Sequence, residues 1–252
     1  MRIAKFSDVD RVAWGLVDGP ELVIFRGHPI FQGYETTGER IPLKDIRLLP
    51  PILPTSKIIC IGKNYADHAA EMGGELPPEP LIFLKPTTSV IGPNEEIVLP
   101  TISKRVDHEG ELAIVIGSIA KDISEENFAD VIWGYTIAND VTARDIQNQD
   151  VQWTRAKSFD TFCPLGPWIE TEFVPDGQIL ETTVDQEIRQ HASVDLLIHK
   201  VPKIIQHVSQ AMTLLPGDVI LTGTPAGIGP ISSGQVVQIS IEGIGTLSNP
   251  VA

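Results

Sequence analysis

Past residue 55 the chain is a succession of short apolar runs, KIICIG, PLIFLK, EEIVLP, ELAIVIG, VIWGYTIA, QEIRQ, DVILTG and QVVQISIEG, most of them bounded by Gly, Pro or Asp. Runs this short, rich in β-branched residues and closed by turn formers, build strands rather than long helices. A mainly β chain of the α+β class is therefore expected. Helical signals are fewer. NYADHAAEMGG (64–74) has good helix formers before a double glycine, and VPKIIQHVSQAMTLL carries Pro202 in its first turn with apolar residues at 204, 205, 208 and 212. SEENFADVIWG would open with Ser124 as an N-cap. Residues 1–53 alternate RVAWGLV and ELVIF with turn clusters and read as a small strand-rich N-terminal domain. LLPPILPTSK (48–57), with three prolines, reads as the boundary before a larger domain over 54–252.

The formal net charge of −14 opposes phosphate backbones and anionic membrane surfaces, which argues against nucleic acid and membrane as partners. An anionic ligand would need a local positive element, either a bound metal or placed Lys and Arg side chains. Cys60 and Cys163 supply neither a disulfide framework nor zinc spacing. The N-terminus lacks the apolar stretch of a signal peptide, and nowhere do about 18 consecutive apolar residues occur. A soluble cytoplasmic protein is expected.

Within DHEGELAIVIG (107–117), Glu109 and Glu111 stand at i and i+2 of a strand candidate and would project from one face. On spacing alone the pair reads as a solvated strand entrance, or as one glutamate paired with Lys104 or Arg105. Asp140 shifts that balance, because it ends a second apolar run, VIWGYTIAND. Three carboxylates from two neighbouring strands suit Mg²⁺ or Mn²⁺, hard cations that keep positions open for water or substrate. His108 would point to the opposite face and reads as structural.

CIGKNYADHAAEMG, PLIFLKPTTSVIGPNEEIVLP, DHEGELAIVIG, GYTIANDVTARDIQ, AKSFDTFCPLGPWI and TLLPGDVILTGTPAGIG, in that order, resemble the blocks of the fumarylacetoacetate hydrolase family. The first 50 residues resemble the small N-terminal unit of its short bacterial members. The resemblance implies a mixed β-sandwich roll, usually a homodimer, with one Mg²⁺ or Mn²⁺ held by Glu109, Glu111 and Asp140. Two stretches depart from the family pattern: Asp185-Gln186 stands where an Asn-Gly hairpin is frequent, and ASVDLLI (192–198) where a polar TSD-like stretch is.

His68 and Glu71 lie at i and i+3 of the first helix candidate. By themselves they are a surface pair worth a few tenths of a kcal/mol. The resemblance makes them the acid–base pair, with Glu71 orienting the imidazole, and makes their segment a lid hinged near Gly73 and Gly74. It also implies that Lys157 contacts substrate oxygens, that Arg144 and Gln147 lie on the substrate side, and that Thr224 of LTGTPAGIGP lines the site. Lys85 of FLKP matches the family pattern without a separable role. LTGTPAGIGP lacks the lysine of a phosphate-binding loop and opens no dinucleotide-binding unit.

The expected chemistry is enolate formation on a small 2-oxo acid. C–C bond cleavage of an acylpyruvate-type diketo acid or decarboxylation of oxaloacetate is favoured, because His68 with Glu71 offers a water-activating base. Isomerisation or decarboxylation of a 2-hydroxyhepta-2,4-diene-1,7-dioate in aromatic-acid catabolism is the alternative. A non-catalytic carboxylate-binding protein is the rival from another class.

Overall fold

In the computed structural model, which describes residues 1–9, 11–73 and 76–252, the apolar runs form two main sheets. The spine of the larger, twelve-stranded sheet is Gly110–Ile116, buried at every residue. It pairs antiparallel with Ile132–Asn139 on one side and Val219–Leu221 on the other. Val219–Leu221 runs parallel to Ile58–Gly62, and Leu81–Lys85 forms that edge of the sheet. On the opposite side Cys163–Glu170 links Ile132–Asn139 to the N-terminal strands Arg2–Ser7, Val12–Asp18, Glu21–Arg26 and Glu35–Pro42. The N-terminal strands thus continue the main sheet, through Ile3 opposite Ile169.

A strand covered on both faces reads as a continuous apolar run, which is why ELAIVI shows no polar alternation. Leu112, Ile114 and Ile116 join a core with Leu180, Ile239 and Ile241 of the smaller sheet and with Ile204, Ile205 and Val208 of helix Val201–Ala211. Ala113 and Val115, pointing the other way, join Cys60, Cys163, Leu165 and Leu221. The smaller sheet runs Glu187–Ser193, Ile179–Val184, Val236–Ile241 and Gly245–Pro250. The fold is mainly β, with mixed pairing and a few short helices, as the strand-like runs imply. Among the described residues no helix is long and apolar enough to cross a membrane.

Several local expectations change. EEIVLP forms no strand, and only Ile97 within it makes a bridge, to Val251. Asn94 has φ of 63° and the Glu95 carboxylate accepts the Gly92 N–H at 2.6 Å, so a turn takes the first part of that run. The first helix is shorter than expected, Ala66–Glu71, and Ser124 precedes a 3-10 helix, Glu125–Val131, without capping it through its side chain. The proline-rich boundary is packed down: Ile52 is buried, and the Thr55 N–H donates to the Gly217 carbonyl. Asp185 and Gln186 adopt φ of 51° and 68°, the left-handed pair that a two-residue hairpin needs. The hairpin therefore forms without Asn-Gly. ASVDLLI becomes the end of a strand and a 3-10 turn over Val194–Leu196.

Candidate active site

Glu109 lies at the break between Val106–His108 and Gly110–Ile116, and Asp140 follows the partner strand Ile132–Asn139 directly. Two bonds fix that junction: the Glu109 N–H donates to Asn139 Oδ1 and the Asp140 N–H to the Glu109 carbonyl, both at 2.9 Å. Gly110 is required between the glutamates because a Cβ there would stand 2.3 Å from Thr182 Oγ1 of the smaller sheet. Its N–H donates instead to Gln190 Oε1 at 2.9 Å. Sheet-on-sheet packing thus sets the backbone from which both glutamates project.

Oxygens of Glu109, Glu111 and Asp140 lie within 4.8 Å of one another, and all three side chains are buried. Basic groups surround two of them. Lys157 Nζ bridges Glu109 Oε2 at 2.9 Å and Asp140 Oδ2 at 2.6 Å, while Lys85 Nζ reaches Asp140 Oδ1 at 2.5 Å. Arg144 Nη2 donates to Glu109 Oε1 at 2.5 Å and its Nε to Asp107 Oδ2 at 2.9 Å. Burial raises the Glu109 carboxyl, but Lys157 and Arg144 outweigh it and hold the group well below the usual carboxylate range. Among the described residues no Lys or Arg pairs with Glu111, which accepts the Gly223 N–H at 2.6 Å. Burial first, then the Asp140 and Glu109 charges, push its carboxyl well up. Gly223 is itself constrained, with φ of +107° and only 2.7 Å between its Cβ position and Asn64 Cβ.

These residues fit a hard divalent ion. The donor set is all carboxylate oxygen, the three side chains converge, and Glu111 is a buried acid whose charge lacks a cation. Cys60 and Cys163 lie behind the site; burial pushes the Cys163 thiol up to about 12 and the Cys60 thiol well above its ordinary value, so neither is a thiolate ligand or nucleophile.

The triad opens into a narrow cleft whose walls include His68, Met72, Phe83, Arg144, Gln147, Trp153, Lys157 and Thr224. The structure therefore brings His68, Arg144, Gln147, Lys157 and Thr224 to the cleft of the triad, while Glu71, Lys85 and His108 lie outside it and neither Lys104 nor Arg105 pairs with Glu109 or Glu111. Glu71 stands directly behind His68, its Oε2 3.4 Å from Nδ1, and Lys85 acts through Asp140. His68 is only 5% exposed although its helix is short. The start of that helix is tied down, since Asn64 Nδ2 donates to the carbonyls of His199 and Thr222 and its Oδ1 accepts the His199 N–H. The expected hinge falls on Gly73 and Gly74, of which Gly74 lies outside the described residues. The Thr224 hydroxyl donates to the Gly110 carbonyl and accepts from Gln190 Nε2, which leaves it acceptor capacity toward a ligand. Gln147 Oε1 accepts from Arg144 Nη1 at 2.6 Å. His108 is fully buried on the other face, and burial lowers its imidazole, so it stays neutral as a structural residue.

Sequence reasoning did not reach Asp107, Asn139, Gly110, Gln190 or Trp153. Asp107 had a signal, since it is an acid two residues before Glu109 and shares its face; the others depend on contacts distant in sequence.

Comparison with known proteins agrees with this architecture. The family described as Fumarylacetoacetate (FAA) hydrolase C-terminal matches residues 57–252, and Rv2993c-like, N-terminal matches residues 1–51. The chain belongs to the fumarylacetoacetate hydrolase family. Oxaloacetate tautomerase YisK of Bacillus subtilis is 42% identical over 223 residues, 83% of this chain and 74% of that one. The crystal structure of 2-hydroxyhepta-2,4-diene-1,7-dioate isomerase from Mycobacterium marinum is 50% identical with a TM-score of 0.93, covering 100% of this chain and 98% of that one. Maleylpyruvate hydrolase from Sphingobium sp. SYK-6, solved with manganese(II) and pyruvate, is 31% identical with a TM-score of 0.83, covering 100% and 99%. Proteins similar to this chain thus include a tautomerase, an isomerase and a hydrolase, the last solved with a divalent metal.

Proposed function

We propose that the chain is a Mg²⁺- or Mn²⁺-dependent enzyme that moves a proton on a small 2-oxo carboxylic acid, interconverting its keto and enol forms. The observation that carries this reading is the placement of a buried imidazole, His68, on the cleft that also opens onto Glu109, Glu111 and Asp140. A divalent ion held by those carboxylates would polarise the 2-oxo group and stabilise an enolate.

The chain's own residues account for the rest. With Nδ1–H turned to Glu71, His68 presents the Nε2 lone pair as a base; the proton leaves substrate C3 for Nε2 and returns to the 2-oxygen. Lys157 and Arg144 supply positive charge beside the substrate carboxylate, and Gln147 holds the Arg144 guanidinium. Phe83, Trp153, Ile61 and Met72 form apolar walls that keep water from the carbanion-like carbon. Names of similar proteins support proton transfer, since a tautomerase and an isomerase share 42% and 50% identity with the chain.

C–C bond cleavage is the second reading, and the His68–Glu71 pair favours it because the same base can take a proton from water. A pure binding protein has no use for that oriented imidazole. Three assays decide: solvent-proton exchange and ketonisation of oxaloacetate, isomerisation of 2-hydroxyhepta-2,4-diene-1,7-dioate, and pyruvate release from acylpyruvates, each with Mg²⁺, Mn²⁺ or a chelator. Activity in the first two alone selects proton transfer, and pyruvate release selects cleavage. Inertness toward all three would sink the enzyme reading. We further propose a homodimer, on the family resemblance alone; a single monomer boundary in sedimentation across working concentrations would overturn it.

A further inference from the structure

The cleft does not end at Arg144. Arg144 and Met72 also line an outer, solvent-open hollow of about 280 Å³ whose other walls are Glu71, Arg105, Asn148 and Ile228. Strand register puts Arg105 there: Val106 pairs with Ala143, and the Arg144 N–H donates to the Arg105 carbonyl at 2.8 Å. The two arginines are therefore neighbours across one strand pair. Both close on the buried carboxylate of Asp107, Arg105 through Nε at 2.9 Å and Nη2 at 3.2 Å, Arg144 through Nε at 2.9 Å.

They differ in what they have left to offer. Arg144 is 5% exposed and spends Nη1 on Gln147 and Nη2 on Glu109. The Arg105 side chain is 52% exposed and lines the hollow, and its bonds to Asp107 run through Nε and Nη2, so Nη1 is not spent on Asp107. Asp107 anchors the guanidinium without enclosing it. Glu71 is the acidic wall residue, and its oxygens accept the Gly227 N–H at 3.3 Å and face His68. In a chain of net charge −14, a held guanidinium with open donors is the local positive element that a second anionic group requires.

We propose that Arg105 is a specificity-determining residue that takes the far carboxylate of a dicarboxylic 2-oxo acid, whose near carboxylate and 2-oxygen lie at the Glu109, Glu111 and Asp140 end of the cleft. This rests on the 2-oxo acid reading above and deepens it, since it selects dicarboxylates over monocarboxylates of the same head group. Arg105 acts at the substrate tail, away from the reacting carbon, so it governs affinity and preference rather than proton transfer.

The test uses pyruvate and oxaloacetate as probes on the Mn²⁺-loaded full chain, with dissociation constants from calorimetry beside oxaloacetate ketonisation rates. Wild type should bind oxaloacetate about tenfold or more tighter than pyruvate, the order of one charge-assisted contact. Arg105→Ala should erase that preference while keeping pyruvate affinity, raising KM for oxaloacetate with little change in kcat. Arg105→Lys should restore part of it. The assignment fails if wild type shows no preference, if Arg105→Ala keeps it, or if the variant loses pyruvate binding equally, since that pattern means Arg105 only props Asp107. Failure of the enzyme reading looks different: the binding preference and its loss in Arg105→Ala would persist while ketonisation is absent in wild type.

Discussion

Lys85 Nζ lies 2.5 Å from Asp140 Oδ1, and both side chains are almost fully buried. Across 55 residues of sequence this pair joins an edge strand to the carboxylate that ends a central one. Lys85, Lys157 and Arg144 together supply positive charge beside Glu109 and Asp140, which offsets the repulsion among the three carboxylates.

Removing Lys85 should therefore expose the repulsion. Breaking a buried pair by deleting one partner costs about 3 kcal/mol or more, because the remaining charge is left unmatched. Lys85→Met is expected to lose about that much stability in chelator, at the low end of the range because Lys157 still reaches Asp140. Mn²⁺ should narrow the gap to wild type, since the ion restores the missing charge. Denaturant melts with and without Mn²⁺ measure this. An equal deficit in both conditions would mean that Lys85 does not share its role with a metal.

Glu111 has the opposite sign. Its carboxylate is buried with no Lys or Arg in ion-pair contact among the described residues, and burial with the charges of Asp140 and Glu109 outweighs Lys157 and pushes its pKa up. Glu111→Gln keeps an oxygen for the Gly223 N–H and removes the unpaired acid. The metal-free variant should melt at or above the wild-type temperature, while the upward shift caused by Mn²⁺ disappears and metal affinity falls about a hundredfold or more. A variant that keeps its Mn²⁺ shift places the ion elsewhere.

The His68 and Glu71 pair should separate chemistry from binding. Loss of a positioned acid–base group costs about 10² to 10⁴ in rate. His68→Gln is expected to lower kcat by that order with Mn²⁺ affinity unchanged, and Glu71→Gln to lower it less, since Glu71 orients the ring from 3.4 Å. Equal loss of metal affinity and rate in His68→Gln would count against a proton-transfer role.

How far the sequence went follows from where each constraint lies. The two-residue strand repeat put Glu109 and Glu111 on one face but left them a solvated strand entrance; Asp140 closing a second apolar run, and the family resemblance, made them a metal site. The sheet itself was legible from β-branched runs between turn formers. EEIVLP misled because its apolar content matches a strand, while the Glu95 carboxylate on the Gly92 N–H and the positive φ of Asn94 favour a turn. The short helix at His68 is held by Asn64 bonds to His199 and Thr222, over 100 residues away, which no local pattern encodes. The Arg105 and Arg144 fork on Asp107 needed the register of Val106 against Ala143.

Gly110 is the sharpest case of such distant control, because the sequence shows only a glycine between two acids. Its Cβ position is 2.3 Å from Thr182 Oγ1, 3.1 Å from Ile239 Cγ2 and 3.2 Å from Gln190 Oε1, all on the smaller sheet. An added methyl must push the sheets apart or tilt the strand, at a cost of about 1–3 kcal/mol for overpacking. Either movement displaces Glu109 and Glu111 together, so Gly110→Ala should weaken Mn²⁺ binding as well as stability although no ligand is altered. Trimming the facing side chain with Thr182→Ala in the same chain should return part of both losses, a non-additive result that a double-mutant cycle reads directly. Strict additivity would show that the two residues do not press on each other, and that the spacing of the glutamates is set by the strand alone.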